Sequence, residues 1–284
     1  MAKIIESFNL ITSEWLEEVL NAPSGTVAFC TITHSWETPV TQVAVVHIDL
    51  KNTGLGLPTT IFIKIPKNEQ HKELREMCGR EVLFYSEIAS TMKATYIPRC
   101  YYAAHDMESG AFNIILEDLS ETHFQTDYPL PPTTECCEMA IDCLVKLHAA
   151  WWNRQGPEAV LGTYPQKEQI LEWMKYTRSA WGRFSDFMGD RLSKSRKQLI
   201  ERAIDNTESN LARSLGSKCL TLTHTDAHLW NFLFPKSSAG EVKLIDWQSY
   251  RYGFAVDDLI PMIALNWYPE RRQRFESPML RVRP

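Results

Sequence analysis

The chain has 284 residues, 44% of them hydrophobic and 23% charged, an ordinary soluble globular composition with room for two lobes and a substantial core. A formal net charge of -5 excludes a general electrostatic pull toward nucleic acid or an acidic membrane surface, although Arg271, Arg272, Arg274, Arg281 and Arg283 gather locally. The 7 cysteines form no C-x-x-C pair, Met1 to Leu10 lacks a signal-peptide core, and no apolar run reaches the ~20 residues of a membrane helix, so a cytoplasmic protein without a disulfide framework, metal cluster or membrane insertion is expected.

In chain order, Thr12 to Asn21 reads as a short helix capped by Thr12 or Ser13, with Trp15, Leu16, Val19 and Leu20 on its apolar face. Two β-type runs follow, Thr26 to Thr33 and Thr41 to Asp49, joined by a turn over Ser35-Trp36-Glu37-Thr38-Pro39. Asn52 to Pro58 is a Gly/Pro-rich loop. Thr60 to Ile65 alternates, with Ile61, Ile63 and Ile65 to one side and Thr60, Phe62 and Lys64 to the other. The periodicity then predicts a long helix from about Gln70 to Met92, with Leu74, Met77, Glu81, Tyr85 and Ile88 as its inward stripe. A strand from Phe112 to Leu116 ends at Glu117-Asp118-Leu119, and Pro129-Leu130-Pro131-Pro132 stops the chain before a helix from Thr134 to Asn153. Gln166 to Leu215 is helical in pattern; its Trp173, Tyr176, Trp181, Phe184 and Phe187 are read mainly as core, with some free to line a substrate pocket. Short strands and tight turns take over from Cys219 to Trp247. The order predicts an α+β fold of two lobes, an antiparallel-sheet N-lobe over residues 1–118 and a mainly helical C-lobe over 119–284.

Chemistry concentrates in Leu222-Thr223-His224-Thr225-Asp226-Ala227-His228-Leu229-Trp230-Asn231, which fits H-x-D-x-x-x-x-N, and in Leu244-Ile245-Asp246-Trp247. Trp230 to Phe234 and Glu241 to Asp246 read as strands joined by Lys236-Ser237-Ser238-Ala239-Gly240. A hairpin centred between Ser238 and Ala239 sets Asn231 opposite Asp246. An amide oxygen and a carboxylate at one end of a hairpin suit magnesium, which keeps waters and shares substrate phosphates. Asp226 then lies beside the metal, able to accept a proton from an attacking hydroxyl. Singly, each of these residues is an ordinary turn former; their order, with strands between them, favours a site. In the first lobe, Lys64 sits near the end of an apolar strand and Glu81 inside an apolar helical stripe. Each is costly to bury alone, and an ion pair answers both. The alternative leaves Lys64 snorkelling to solvent and Glu81 at the edge of its stripe. His148 reads as packed, and His228 is a further candidate for reaching substrate or phosphate.

These residues resemble the motif of aminoglycoside phosphotransferases, choline kinases and the ecdysteroid-kinase-like group, relatives of the protein kinases. The usual form there is H-G-D-x-x-x-x-N followed by a strand ending I-D-[WF]; here Thr225 stands where Gly is common, and Ile245-Asp246-Trp247-Gln248 matches well. The resemblance runs from about Thr12 to about Phe275. It implies a bilobal protein-kinase-like fold, ATP and Mg2+ as cofactors, and transfer of the γ-phosphate to a hydroxyl of a small molecule such as an amino alcohol, a sugar, an antibiotic or a sterol-like alcohol. It also implies that Asp226 is the catalytic base, that Asn231 and Asp246 hold magnesium, and that His224 braces the loop. Lys64, paired with Glu81, would position the α/β-phosphates, and the backbone around Glu117 and Leu119 would meet adenine. Asp257-Asp258-Leu259 resembles the start of a helix that supports the site.

Two features depart from the family. No glycine lies between Ala28 and His47, where many kinases carry a glycine-rich loop, so the turn from Ser35 to Pro39 is expected to cover the phosphates with backbone amides and hydroxyls. The family usually continues for further helices after the Asp-Leu segment, whereas this sequence stops at Pro284; a shortened form with an open or inactive acceptor site is expected. These departures favour a second reading, a catalytically weak or inactive kinase-fold nucleotide-binding protein. A protein kinase is a third, opposed by Asp246-Trp247-Gln248 where D-F-G would stand and by the lack of an A-P-E segment.

Overall fold

The computed structural model describes residues 3–67, 72–92, 94–106, 108–127, 130, 132–154, 167–214 and 219–281. In chain order the elements are α1 (Ser13–Val19), β1 (Val27–Glu37), β2 (Thr41–Leu50), β3 (Thr60–Pro66), α2 (Lys72–Leu83), β4 (Cys100–His105), β5 (Phe112–Glu117), β6 (His123–Phe124) and α3 (Thr134–Trp151). Then follow α4 (Lys167–Met188), α5 (Lys194–Ser214), β7 (Thr221–Thr223), β8 (Phe232–Pro235), β9 (Lys243–Leu244), β10 (Arg251–Gly253), α6 (Val256–Leu259) and α7 (Pro269–Leu280). The chain divides into two compact units, one of residues 1–147, 224–250 and 256–284, the other of 148–223 and 251–255.

The first unit is organised by an antiparallel sheet of order β1-β2-β3-β5-β4. Ile61, Ile63 and Ile65 of β3 are fully buried with Ala44, Val46, Ile48 and Ile115, against Trp15, Leu16 and Val19 of α1. Because side chains alternate along a strand, burying the three isoleucines sends Phe62 and Lys64 to the opposite face. The apolar packing of one face thus aims the ammonium on the other. At the far edge, β1 extends beyond the expected Thr33 to Glu37, with Ser35, Trp36 and Glu37 paired to Ala44, Val43 and Gln42. Trp36 lies 5.9 Å from Phe62 and Glu37 is 2.8 Å from Lys67, and these cross-strand contacts prolong the ladder into the segment expected as a turn.

Helix α2 carries Glu81 under β4. The expected start at Gln70 lies outside the described residues, as do the side chains of Leu74 and Met77; Glu81, Tyr85 and Ile88 are buried as the stripe requires. The helix widens into a π turn over Phe84–Ile88 and closes with a 3-10 turn at Ala89–Thr91. Gly79 explains its close approach to the sheet: a Cβ at that position would stand 2.6 Å from the His105 ring. A three-stranded sheet of order β6-β8-β9 completes the unit.

In the second unit, α4 and α5 pack around Ile170, Met174 and Ile204, with Trp181 and Ile200 at the margin and Arg178 2.6 Å from Asp205. β7 and β10 pair antiparallel, and the Thr221 hydroxyl donates to the carbonyl of the buried His148 at 2.8 Å. Trp173, Tyr176, Phe184 and Phe187 are exposed, which corrects the expectation that most of these aromatics are core. At 100° per residue they share a stripe next to the one that carries Ile170, Met174 and Trp181, and only the latter meets α5. Among the described residues no helix is long and apolar enough to cross a membrane.

Candidate active site

Lys64 Nζ lies 2.5 Å from Glu81 Oε2 and 2.8 Å from Asp246 Oδ1. The snorkelling alternative is excluded, since Lys64 and Glu81 are both buried. Burial works against the Lys64 charge, but Glu81 and Asp246 outweigh it and hold the ammonium above its ordinary range. Burial likewise pushes Asp246 up, and Lys64 more than reverses this, so its carboxyl stays below the usual range. Glu81 is the most enclosed of the three, and there burial prevails over Lys64 and raises its carboxyl. Burial also pushes Cys78 up to about 11 and Cys100 up to about 12, so neither is a thiolate at neutral pH.

The segment from His224 to Asn231 is held by unusual means. Thr225 adopts φ 64, a left-handed conformation that a β-branched residue rarely accepts. This gives a physical reason why Gly is common at that place in the motif. Here the strain is offset by three hydrogen bonds. Asp258, fully buried at the end of α6, accepts from His224 N–H at 3.0 Å and from Thr225 N–H at 2.6 Å. The Thr225 hydroxyl donates to Ser249 O at 2.6 Å. The buried His224 ring donates through Nε2 to Ile245 O at 2.9 Å and packs edge-on to Trp247 at 4.8 Å, and burial lowers its pKa. It therefore joins the loop to the strand that delivers Asp246, as a neutral brace.

Asp226 projects from this loop with a partly exposed side chain, 3.7 Å from His228 Nε2. Asn231 donates through Nδ2 to Asp226 O at 2.8 Å, which leaves its amide oxygen on the other branch of the side chain. The hairpin register differs from the expected one. Phe232 pairs with Leu244 and Ile245 N–H donates to Asn231 O at 3.0 Å, so Asn231 stands opposite Ile245 and the turn centres on Ser238. The strands are also shorter than Trp230–Phe234 and Glu241–Asp246: residues Leu229–Asn231 form a 3-10 turn and Asp246 has left the ladder at φ 65. The left-handed residue redirects the Asp246 carboxylate toward Lys64, a displacement that strand alternation cannot anticipate.

The segment after Asp246 is fastened to α2. Phe84 stacks on Trp247 at 3.9 Å and 6°, Arg80 donates to the carbonyls of Gln248, at 3.3 Å, and Tyr250, and the Trp247 N–H reaches the Glu81 carboxyl. Two other expected contributors make their hydrogen bonds with residues outside this cluster. Glu117, at the end of β5, spends its carboxylate on Lys243 at 2.9 Å and on Arg99 N–H at 3.0 Å. The Leu119 carbonyl accepts from Thr122 and His123 N–H.

The β1–β2 turn corrects a further expectation. It comprises Thr38, Pro39 and Val40. The Thr38 hydroxyl accepts from Val40 N–H at 3.3 Å and Thr41 N–H at 2.9 Å, Thr38 N–H donates to Thr41 O at 2.8 Å, and Pro39 has no N–H. Its amides serve the turn itself.

Sequence reasoning left Arg80 out of the site and took Asp258 only as part of a helix start that supports it. Asp258 had a signal, a carboxylate beside Leu259 and Ile260 that needs buried donors; Arg80 had none, because its partners are backbone carbonyls remote in sequence.

The model of the ecdysteroid kinase-like family matches residues 38–282. The chain belongs to the ecdysteroid kinase-like family. No curated protein matches it in sequence. Among solved structures, the streptomycin–ATP–APH(2")-IIa ternary complex superposes with a TM-score of 0.50 at 16% identity, over 87% of this chain and 74% of that one. LicA, a choline kinase from Streptococcus pneumoniae, in complex with AMP gives a TM-score of 0.50 at 15% identity, over 93% of this chain and 78% of that one. The α+β fold is thus that of the protein-kinase-like phosphotransferases.

Among the described residues no group of three or more His, Cys, Asp or Glu could hold a metal by itself. One carboxylate and one amide oxygen suit magnesium, which takes one or two protein ligands together with phosphates and water. Asp246, kept ionised by Lys64, and Asn231, with its amide orientation fixed by Asp226 O, fit that requirement.

Proposed function

We propose that this protein is an ATP-dependent phosphotransferase that moves the γ-phosphate to a hydroxyl of a small molecule. The observation that carries the reading is one buried ammonium, Lys64 Nζ, bridging Glu81 and Asp246. A cation between a helix carboxylate and the carboxylate of an I-D-W segment is the arrangement that places nucleotide phosphates against a metal. On this reading residues 1–118 hold the nucleotide and residues 119–284 supply the base, the metal ligands and the acceptor site. Lys64, oriented by Glu81, binds the α/β-phosphates, Asn231 and Asp246 hold Mg2+, and the backbone at Glu117 and Leu119 meets the adenine. Magnesium, when bound, neutralises charge on the transferred group. Asp226 takes the proton of the attacking hydroxyl as the new O–P bond forms and the bond from Pγ to the β–γ bridging oxygen breaks. The family name makes sterol-like alcohols the first acceptors to try; streptomycin and choline, suggested by the structural relatives, come next.

The closure of the β1–β2 turn on itself favours a second reading, a kinase-fold protein that binds nucleotide and turns it over weakly or not at all. Thermal stabilisation by ATP with and without magnesium, on the wild type and Asp246→Ala, is the first test. A magnesium-dependent rise in Tm that Asp246→Ala abolishes is expected, followed by phosphorylation of at least one alcohol. Asp226→Ala is expected to keep the rise in Tm and lower kcat about 10³-fold. Stabilisation without transfer to any alcohol selects the second reading, and no stabilisation in either protein defeats both.

A further inference from the structure

The geometry points to His228 as a positioning residue for Asp226: its Nε2 faces Asp226 Oδ2 at 3.7 Å, and when substrate closes the site its N–H takes that oxygen, so that Oδ1 is the oxygen left to receive a proton from the acceptor hydroxyl. The inference deepens the phosphotransferase reading and rests on it for the identity of the acceptor.

Several observations converge on the pair. Its two residues are tied through the backbone, with His228 N–H donating to Asp226 O at 2.8 Å and Asn231 N–H donating to His228 O at 2.9 Å. These bonds fix the spacing of the loop and bring the two side chains to one side of it. Imidazole Nε2 then stands 3.7 Å from Oδ2, within ion-pair range and longer than a closed hydrogen bond. Contacts of this kind commonly tighten only when substrate closes the site. The ring packs against Trp230 at 5.6 Å and 54°, which steadies it, and the side chain is 29% exposed.

The tautomer follows from the same geometry. Nδ1 is buried with no hydrogen-bond partner among the described residues. A proton on Nδ1 would bury an unpaired N–H and turn the Nε2 lone pair toward a carboxylate. With the proton on Nε2 the donor faces Oδ2, and the buried atom is an acceptor, the lesser penalty. The choice is thus made by the loop, and it assigns different work to the two carboxylate oxygens. His228 is not itself taken to hold phosphate or metal, although Asp246 lies within its electrostatic reach; Asp226 is the carboxylate within ion-pair distance of it.

The test uses the full chain, with His228→Leu removing the donor and His228→Gln replacing it at the position of Nε2. Affinity for Mg-ATP is measured by calorimetry, and single-turnover transfer is measured to whichever alcohol the wild type accepts. His228→Leu is expected to lose about 10- to 100-fold in kcat with KM for both substrates and ATP affinity within about twofold. His228→Gln is expected to recover most of that loss. Independently of activity, the ¹⁵N resonances of labelled histidine in the resting protein at pH 9 are expected to show His228 as the Nε2–H tautomer in the wild type and in Asp226→Ala alike, with the Nε2 resonance displaced in the variant by loss of the carboxylate. Unchanged kcat in His228→Leu, equal loss in both variants, or loss confined to ATP affinity overturns the proposal. An Nδ1–H tautomer in the wild type overturns it as well. If the wild type phosphorylates none of the alcohols, the phosphotransferase reading fails, and the ¹⁵N measurement alone decides whether the pair exists.

Discussion

Two turns in the first unit solve the problem of unpaired backbone amides in opposite ways. The turn at Thr38 to Thr41 is self-sufficient: a hydroxyl inside it takes two of its amides, and no residue is strained. The segment from His224 to Asn231 borrows from elsewhere. The amides of His224 and Thr225 go to Asp258, Thr225 sits at φ 64, and the ring nitrogens His224 Nδ1 and His228 Nδ1 are buried without hydrogen-bond partners among the described residues. Strain of this kind costs about 1–3 kcal/mol and persists only where surrounding structure imposes it. A turn that could have been built cheaply and was not is a better candidate for chemistry than one closed by its own side chain.

The largest effect that separates the two turns is expected at Asp258. Its removal in Asp258→Ala strands two buried N–H groups and frees Thr225 to leave the left-handed region. The expected loss is about 3 kcal/mol of unfolding free energy, read from urea denaturation at unchanged slope. Asp258→Asn, with a single acceptor oxygen left, is expected to lose roughly half as much. A loss below ~1 kcal/mol for the alanine variant would show that the loop holds its own shape, and the comparison would break.

The same contrast explains what could be read from the sequence. Alternation in Thr60 to Ile65 placed β3 correctly, because one buried face leaves no freedom of register. Lys64 and Glu81 could be paired in advance because each posed a burial problem that the other answers, and the structure brings them within 2.5 Å. The spacing of His224, Asp226 and Asn231 was visible as a motif, and the structure gathers them in one loop. The register to Asp246 was not visible, since it depends on a left-handed residue that ends the ladder early. The exposed aromatics of α4 were misread because a recurrence of three to five residues fits two adjacent stripes of a helix equally well. Which stripe meets α5 is a tertiary fact.

A smaller effect concerns pH. His224 is fully buried, and burial lowers its pKa from an ordinary 6.5. The unfolded chain therefore takes up the proton first. The contribution is complete above about pH 6.5, and as pH falls below that value toward the folded pKa, stability is lost. His224→Gln retains a donor for Ile245 O and removes the titration. Urea midpoints measured between pH 8 and 5 are expected to fall more steeply with acid in the wild type than in the variant. Parallel curves would mean that His224 is as easily protonated in the folded chain as in the unfolded one, and its role as a neutral brace would be lost.

The smallest effect is expected at Thr38. Thr38→Ala frees the amides of Val40 and Thr41, but the turn lies at the surface and water can replace the hydroxyl, so the loss should stay below about 1 kcal/mol. Nucleotide affinity sharpens the result. If the turn is closed on itself and stands clear of the phosphates, Mg-ATP binding should change by less than about twofold. Tighter binding by the variant would show that the freed amides can reach a phosphate that the native turn leaves alone. A tenfold loss of affinity at unchanged stability would instead show that the Thr38 hydroxyl itself meets the nucleotide. The two turns would then share one function, and the thrift of the first would no longer mark it as structural.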